Sequence, residues 1–174
     1  MSLINWLGNE ATGWNIIPLA GFFLVANLCY AFFISYVVLK RYFDIDKKIP
    51  SNQEADAKKI TVFGYIIAAF IEELIFRFCF LFIPIHIWGN STKVLIAATI
   101  SSFVFGILHG SFGLIIQSVS GFSWCLLFLK CGGLQHNFLK ALTVVTIVHF
   151  LYNISAAISV NIIDSVKNRK HARF

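Results

Sequence analysis

Charge is scarce in this chain. Only 13% of its 174 residues are Asp, Glu, Lys or Arg, against 58% hydrophobic, and no Lys or Arg occurs before Lys40. A soluble domain of this size cannot hide so much apolar surface, which excludes a soluble enzyme and implies an integral membrane protein. The missing basic start also argues against a cleaved signal peptide, so the first apolar run is read as a retained span. The four cysteines, Cys29, Cys79, Cys125 and Cys131, form no CxxC pair and no Cys/His zinc pattern. Disulfides and structural zinc are therefore not expected, and the thiols are read as packing residues. The HExxH motif of the common zinc proteases and a paired-aspartate intramembrane site are missing too.

What is present is a series of apolar runs, read as about five spans of roughly 20 residues each. They cover residues 16–39, 60–84, 93–110, 113–130 and 138–163. The expected fold is all-α, a polytopic membrane helix bundle forming a single domain over 1–174. A net charge of +6 would suggest nucleic acid in a soluble protein, but here the basic residues flank apolar runs and act as topology signals. Lys40, Arg41, Lys47, Lys48, Lys58 and Lys59 follow the first span, and Lys167, Arg169, Lys170 and Arg173 follow the last. Cationic loops stay in the cytoplasm, so an odd number of spans is expected, with the N-terminus outside and the C-terminus cytoplasmic. The fourth span is the weakest: the stretch 111–130, with Gln117, four serines and two glycines, is compatible with a tilted, broken or partly re-entrant helix.

Three charges stand inside the second span, in "FIEELIFRFCFLFIP". Each costs about 2.5 to 3.5 kcal/mol at the centre of a bilayer, so they need a compensating purpose. Glu73 and Arg77 are four apart and share a helical face, which suits an ion pair. Glu72 points about 100° away from Glu73 and has no cation at that spacing. Glu72 is thus the candidate for chemistry, Glu73 and Arg77 for its support. In the third span Ala98, Ser102, Gly106 and Gly110 form a smooth stripe for close helix approach, with His109 beside it. In the last span Thr146, His149 and Asn153 make one side of an apolar helix polar. Such a face can be an inert hydrogen-bond ladder, but an unpaired glutamate, two histidines and an asparagine also supply a base, its partner and two donors for amide hydrolysis.

The blocks "EELIFR" (Glu72, Glu73, Arg77), "FGILH" (Phe105, His109) and "HFLYN" (His149, Asn153) resemble, in order, the EExxxR, FxxxH and HxxxN/D motifs of the CAAX protease and bacteriocin-processing family (CPBP, Abi). Together they span a core of residues 72–153. The resemblance implies an intramembrane endopeptidase of the bacterial branch, in a bacterial plasma membrane, acting on a membrane-associated peptide or protein in peptide processing or bacteriocin self-immunity. It implies that Glu72 and His109 activate a water, that His149 and Asn153 stabilise the oxyanion, and that Glu73 and Arg77, with Phe105, are structural. No cofactor is certain. A catalytic zinc on Glu72, His109 and His149 is the minority alternative to a glutamate-activated water, the family being often labelled as metalloproteases.

Other classes fit less well. "GFSW" (Gly121 to Trp124) matches the GxS pattern of rhomboid serine proteases, with His149 as partner, but leaves the glutamates unexplained. A transporter would show half-repeats or broken helices in matching positions, and none is visible. A non-proteolytic immunity or scaffold protein could use the same cavity to bind a peptide or a partner helix.

Overall fold

The computed structural model describes residues 3–43, 62–88, 91–135 and 137–171. The polar loop of residues 44–61, His136 and the side chains of the last basic segment lie outside the described residues, so the charges that suggest the orientation do too. Every described helix, π-turn and 3-10 turn belongs to an all-α bundle. A short α1 (Leu3–Gly8) and a 3-10 turn (Gly13–Asn15) lead into α2 (Ile16–Phe43). Then α3 (Val62–Arg77) runs through a π-turn (Phe78–Phe82) into α4 (Ile83–Trp88), and α5 (Ser91–Leu108) and α6 (Gly110–Phe128) follow as a hairpin. A second π-turn (Leu129–Gly133) precedes α7 (Phe138–His171).

Gly13–Val37, Gly113–Gly133 and Phe138–Ser159 are long and apolar enough to cross a membrane, and Thr92–Leu108 is a shorter apolar helix. The expected second span stays helical without a break, its α-helical pairing widened at one π-turn. Pro84 has no N–H to return to the carbonyl four residues back, and the backbone widens into a π-turn just before it. Many large side chains on α2, α3 and α5, among them Phe22, Phe33, Phe63, Phe70 and Phe103, point outward. That surface is solvated by lipid tails, and the chain is an integral membrane protein.

The third and fourth spans differ from their expected boundaries. α5 stops at Leu108, His109 adopts φ −93° and ψ 11°, and Gly110 turns the chain with φ +80°. Only glycine takes that left-handed conformation at no steric cost, so the hairpin turn is two residues earlier than the sequence suggests. α6 is unbroken from Gly110 to Phe128. Half of its membrane stretch is buried, more than in α2 or α7. Gly113, Ser118 and Gly121 face α5, where a side chain at Gly113 would overlap the backbone of Gly106 and one at Gly121 would press on Phe105. The polar, small residues that weaken α6 as a lipid-facing span are what let it pack at the centre. Of the expected stripe, Ala98, Ser102 and Gly106 are buried, whereas Gly110 lies past the turn with open space around it.

α6 and the π-turn after it supply the core, in which Trp124, Cys125, Leu127, Phe128 and Leu129 are all fully buried. The N-terminal segment caps the junction of α6 and α7. Ala11 N–H donates to Lys130 O at 2.9 Å, Lys130 Nζ donates to the carbonyls of Trp6 and Asn9, and Lys140 pairs with Glu10. The first residues and the α6–α7 junction therefore share one face of the bundle.

Candidate active site

The site is built on α3 and α7, which pack against each other. On α3 the helical period sends Glu73 and Arg77 inward, and each is only 1% exposed. Arg77 Nε donates to Glu73 Oε2 at 2.5 Å and its Nη2 donates to Oε1 at 3.3 Å, so the pair is a two-point contact. Glu72, one residue back, keeps a third of its side-chain surface accessible. The two neighbouring carboxylates thus occupy different surroundings, as their spacing requires.

His149 joins them from α7. Its Nδ1 donates to Glu73 Oε1 at 2.9 Å, and its Nε2 lies 3.7 Å from Glu72 Oε2. The sequence pairs Glu73 with Arg77 but does not foresee that the same carboxylate orients His149, because 76 residues separate them. A carboxylate can only accept, so Nδ1 carries a proton and Nε2 is the nitrogen turned toward Glu72. The buried ring stacks on Trp124, with centroids 5.8 Å apart and planes 20° from parallel, and meets Phe105 edge-on at 6.0 Å. A ring held by one hydrogen bond and two aromatic faces has little freedom to turn.

His109 stands at the α5–α6 turn. Its Nδ1 donates to the Phe105 carbonyl at 2.8 Å, and its ring lies 4.4 Å from the Phe105 ring. Phe105 therefore sits between the two histidines, and in both the Nδ1–H is tied back, which leaves Nε2 for the site. Thr146 is buried one turn before His149, and Asn153 is half-buried one turn after it. The structure thus joins Glu72, Glu73, Arg77 and His149 directly, whereas His109 is exposed at the turn and shares the Phe105 ring with His149. Ser123, the serine of the GxS pattern, is not among the partners of His149, which are the two glutamates.

A catalytic zinc takes three protein ligands and a water. Among the described residues no three His, Cys, Asp or Glu side chains are gathered to hold a metal ion. Glu72, His109 and His149, the ligand set that the sequence admits, are not gathered as such a group.

Two residues of the network lie outside the three motif blocks. Cys125 Sγ is 2.7 Å from Arg77 Nη1, and Trp124 is the stacking partner of His149. The sequence assigns Cys125 to packing and meets Trp124 only as the last residue of the GxS block. Both are apolar residues on an apolar helix, so neither periodicity nor charge marks them.

No curated protein and no solved structure matches the chain significantly. Residues 57–155 match the family described as Rce1-like, type II CAAX prenyl endopeptidase, a stretch that contains Glu72, Glu73, Arg77, Phe105, His109, His149 and Asn153. Since that match takes in more than half of the sequence, the chain belongs to the Rce1-like family of type II CAAX prenyl endopeptidases, a family of proteases.

Proposed function

We propose that this protein is an intramembrane endopeptidase in which Glu72 activates water. The observation that carries the reading is the accessible Glu72 carboxylate held 3.7 Å from His149 beside a buried Glu73, Arg77 and His149 network. Glu72, assisted by His109, takes a proton from water as the water oxygen bonds to the carbonyl carbon. The oxyanion accepts hydrogen bonds from His149 Nε2–H and the Asn153 amide. Collapse breaks the C–N bond, and the proton on Glu72 passes to the leaving amine.

His149 meets a condition in this scheme. Its Nδ1–H is committed to Glu73, so it donates from Nε2 only as an imidazolium. In that form Glu72, Glu73, Arg77 and His149 carry two negative and two positive charges, and the site is neutral in an apolar surrounding. Glu73 then serves as more than the counter-ion of Arg77, since it fixes which atom of His149 faces the substrate.

The substrate class is a membrane-associated peptide or protein, with peptide processing or bacteriocin self-immunity as the setting. A prenylated CAAX tail, which the family description names, is the other class to test. The decisive comparison is mass spectrometry of short peptides released by cells carrying wild type or Glu72→Gln at equal membrane abundance. Termini present only with wild type establish Glu72-dependent cleavage and identify the substrate. Identical peptides with any immunity phenotype retained would replace this reading with a binding role. Glutamate-activated water needs no metal, so turnover survives exhaustive chelation; loss on chelation and recovery with zinc would favour the metal route instead.

A further inference from the structure

α6 carries none of the motif residues, yet it touches both partners of Glu73. Cys125 reaches Arg77 and the preceding Trp124 reaches His149, and both are fully buried. Adjacent residues on a helix point about 100° apart, so one turn of α6 spans the two ends of the Glu73 network.

Arg77 presents its donors as a rigid planar fork. Nε and Nη2 are used by Glu73, and Nη1 lies on the other branch of the guanidinium, beyond reach of the same carboxylate. A buried donor without an acceptor is costly and would favour rotation of the guanidinium away from Glu73. Cys125 Sγ supplies that acceptor at 2.7 Å. The thiol is itself oriented: the Ala98 carbonyl, which can only accept, is 3.7 Å from Sγ, and Ser102 Oγ is at 3.7 Å too, both on α5. With its hydrogen directed at α5, the sulfur turns lone pairs toward Arg77.

Glu73 Oε1 receives both Arg77 Nη2 and His149 Nδ1. Movement of the guanidinium therefore moves the oxygen that orients His149. We propose that Cys125 is a positioning residue, whose sulfur holds Arg77 in register on Glu73 and so keeps His149 Nε2 turned toward Glu72. The consequence for turnover rests on the endopeptidase reading, whereas the consequence for His149 does not. A packing role would be met by any side chain of the right size, but a positioning role requires a lone pair.

The test compares full-length Cys125→Ser, which keeps an acceptor, with Cys125→Val, which keeps bulk without one. The first readout is proton NMR of protein labelled with nitrogen-15 histidine. A His149 Nδ1–H held by Glu73 in a dry site resonates far downfield and is assigned by its loss in His149→Gln. It is expected in wild type and Cys125→Ser and lost or moved upfield in Cys125→Val. The second readout is kinetics on a peptide that wild type cleaves. Cys125→Val lowers kcat about tenfold or more with KM within about twofold, and Cys125→Ser recovers most of it. Should valine prevent folding, Cys125→Ala carries the same comparison. A downfield resonance and a kcat per folded molecule that both survive loss of the acceptor overturn the proposal, as does a wild type without that resonance. A wild type with the resonance but no Glu72-dependent cleavage sinks the endopeptidase reading alone, and the resonance in the two variants then decides the role of Cys125.

Discussion

Two buried cations in this bundle are neutralised in different ways. Arg77, 1% exposed on α3, is met by a carboxylate and a thiol, and that carboxylate also holds a histidine. Lys130, 8% exposed in the π-turn that follows α6, has no carboxylate within ion-pair distance among the described residues. Its ammonium donates to two backbone carbonyls of the N-terminal segment and lies 4.6 Å from the centre of the Trp6 ring. Position explains the difference. A lysine at a helix end can extend toward the membrane edge, where its charge is partly hydrated, so neutral dipoles suffice. An arginine inside the bundle has no such route and needs a full opposite charge. The outer cation fastens a chain segment, whereas the inner one organises a site whose other members are ionisable.

The inner network is expected to be the more fragile. Arg77→Ala leaves Glu73 buried beside a histidine with its main counter-charge gone, which costs about 3 to 5 kcal/mol. The measurable result is a large loss of folded protein in the membrane and a much lower denaturation midpoint in detergent. A stability near wild type would mean that Glu73 does not need Arg77, and the contrast with Lys130 would dissolve. Glu72→Gln comes next and separates chemistry from architecture. Because Glu72 is partly accessible and its one close contact in the network is the 3.7 Å approach of His149, stability stays within about 0.5 kcal/mol. Turnover on a cleaved peptide nevertheless falls about 100- to 10,000-fold, the range for removal of a general base. Equal losses of stability in the two variants would remove the division between the adjacent glutamates.

How much of this was legible in the sequence depends on the range of each interaction. The Glu73 and Arg77 pair is a contact between residues four apart, so helical geometry alone gives it. The motif blocks point to His149 and His109, but the contact of His149 with Glu73 crosses from α7 to α3 and has no local signature. The hairpin turn was placed two residues late because Gly110 reads equally well as a member of a small-residue stripe or as a turn residue, and its positive φ is visible only in three dimensions. Hydropathy locates α6 but makes it the weakest of the spans. A scale that treats serine and glycine as penalties assumes a lipid-facing helix, whereas α6 turns Gly113, Ser118 and Gly121 toward α5 and is the most buried of the apolar spans. Cys125 and Trp124 were the least legible, since an apolar helix gives no indication of which side chains meet a charge.

The outer cation supplies the third expectation. Lys130→Met keeps the stem and removes the ammonium, leaving the Trp6 and Asn9 carbonyls without their donor. The cost is about 1 to 3 kcal/mol, smaller than for Arg77 because carbonyls near the membrane edge can turn to water. Faster hydrogen exchange across residues 3–15 is the readout, with proteolytic turnover per folded molecule within about twofold of wild type, because Lys130 touches no group of the proposed site. An activity loss as large as that of Glu72→Gln would show that the N-terminal clasp and the site are coupled.

The smallest effect is expected ten residues further along, at the same face. Lys140 pairs with Glu10 and donates to the Ala11 carbonyl at 3.0 Å, so on a contact list it looks as well held as Lys130. Its side chain is 28% exposed and that of Glu10 23%, which lets water and ions compete for both charges. Lys140→Ala is therefore expected to cost less than about 1 kcal/mol and to lose even that in high salt. Measured beside Lys130→Met in low and high salt, it separates the two lysines by mechanism: the Lys130 loss persists when the ionic strength rises, because neutral carbonyls and an aromatic face have no net charge for salt to screen. If both losses shrink alike, the clasp is held by general electrostatics of the basic face, and the N-terminal segment is fastened by charge rather than by the backbone carbonyls of residues 6 and 9.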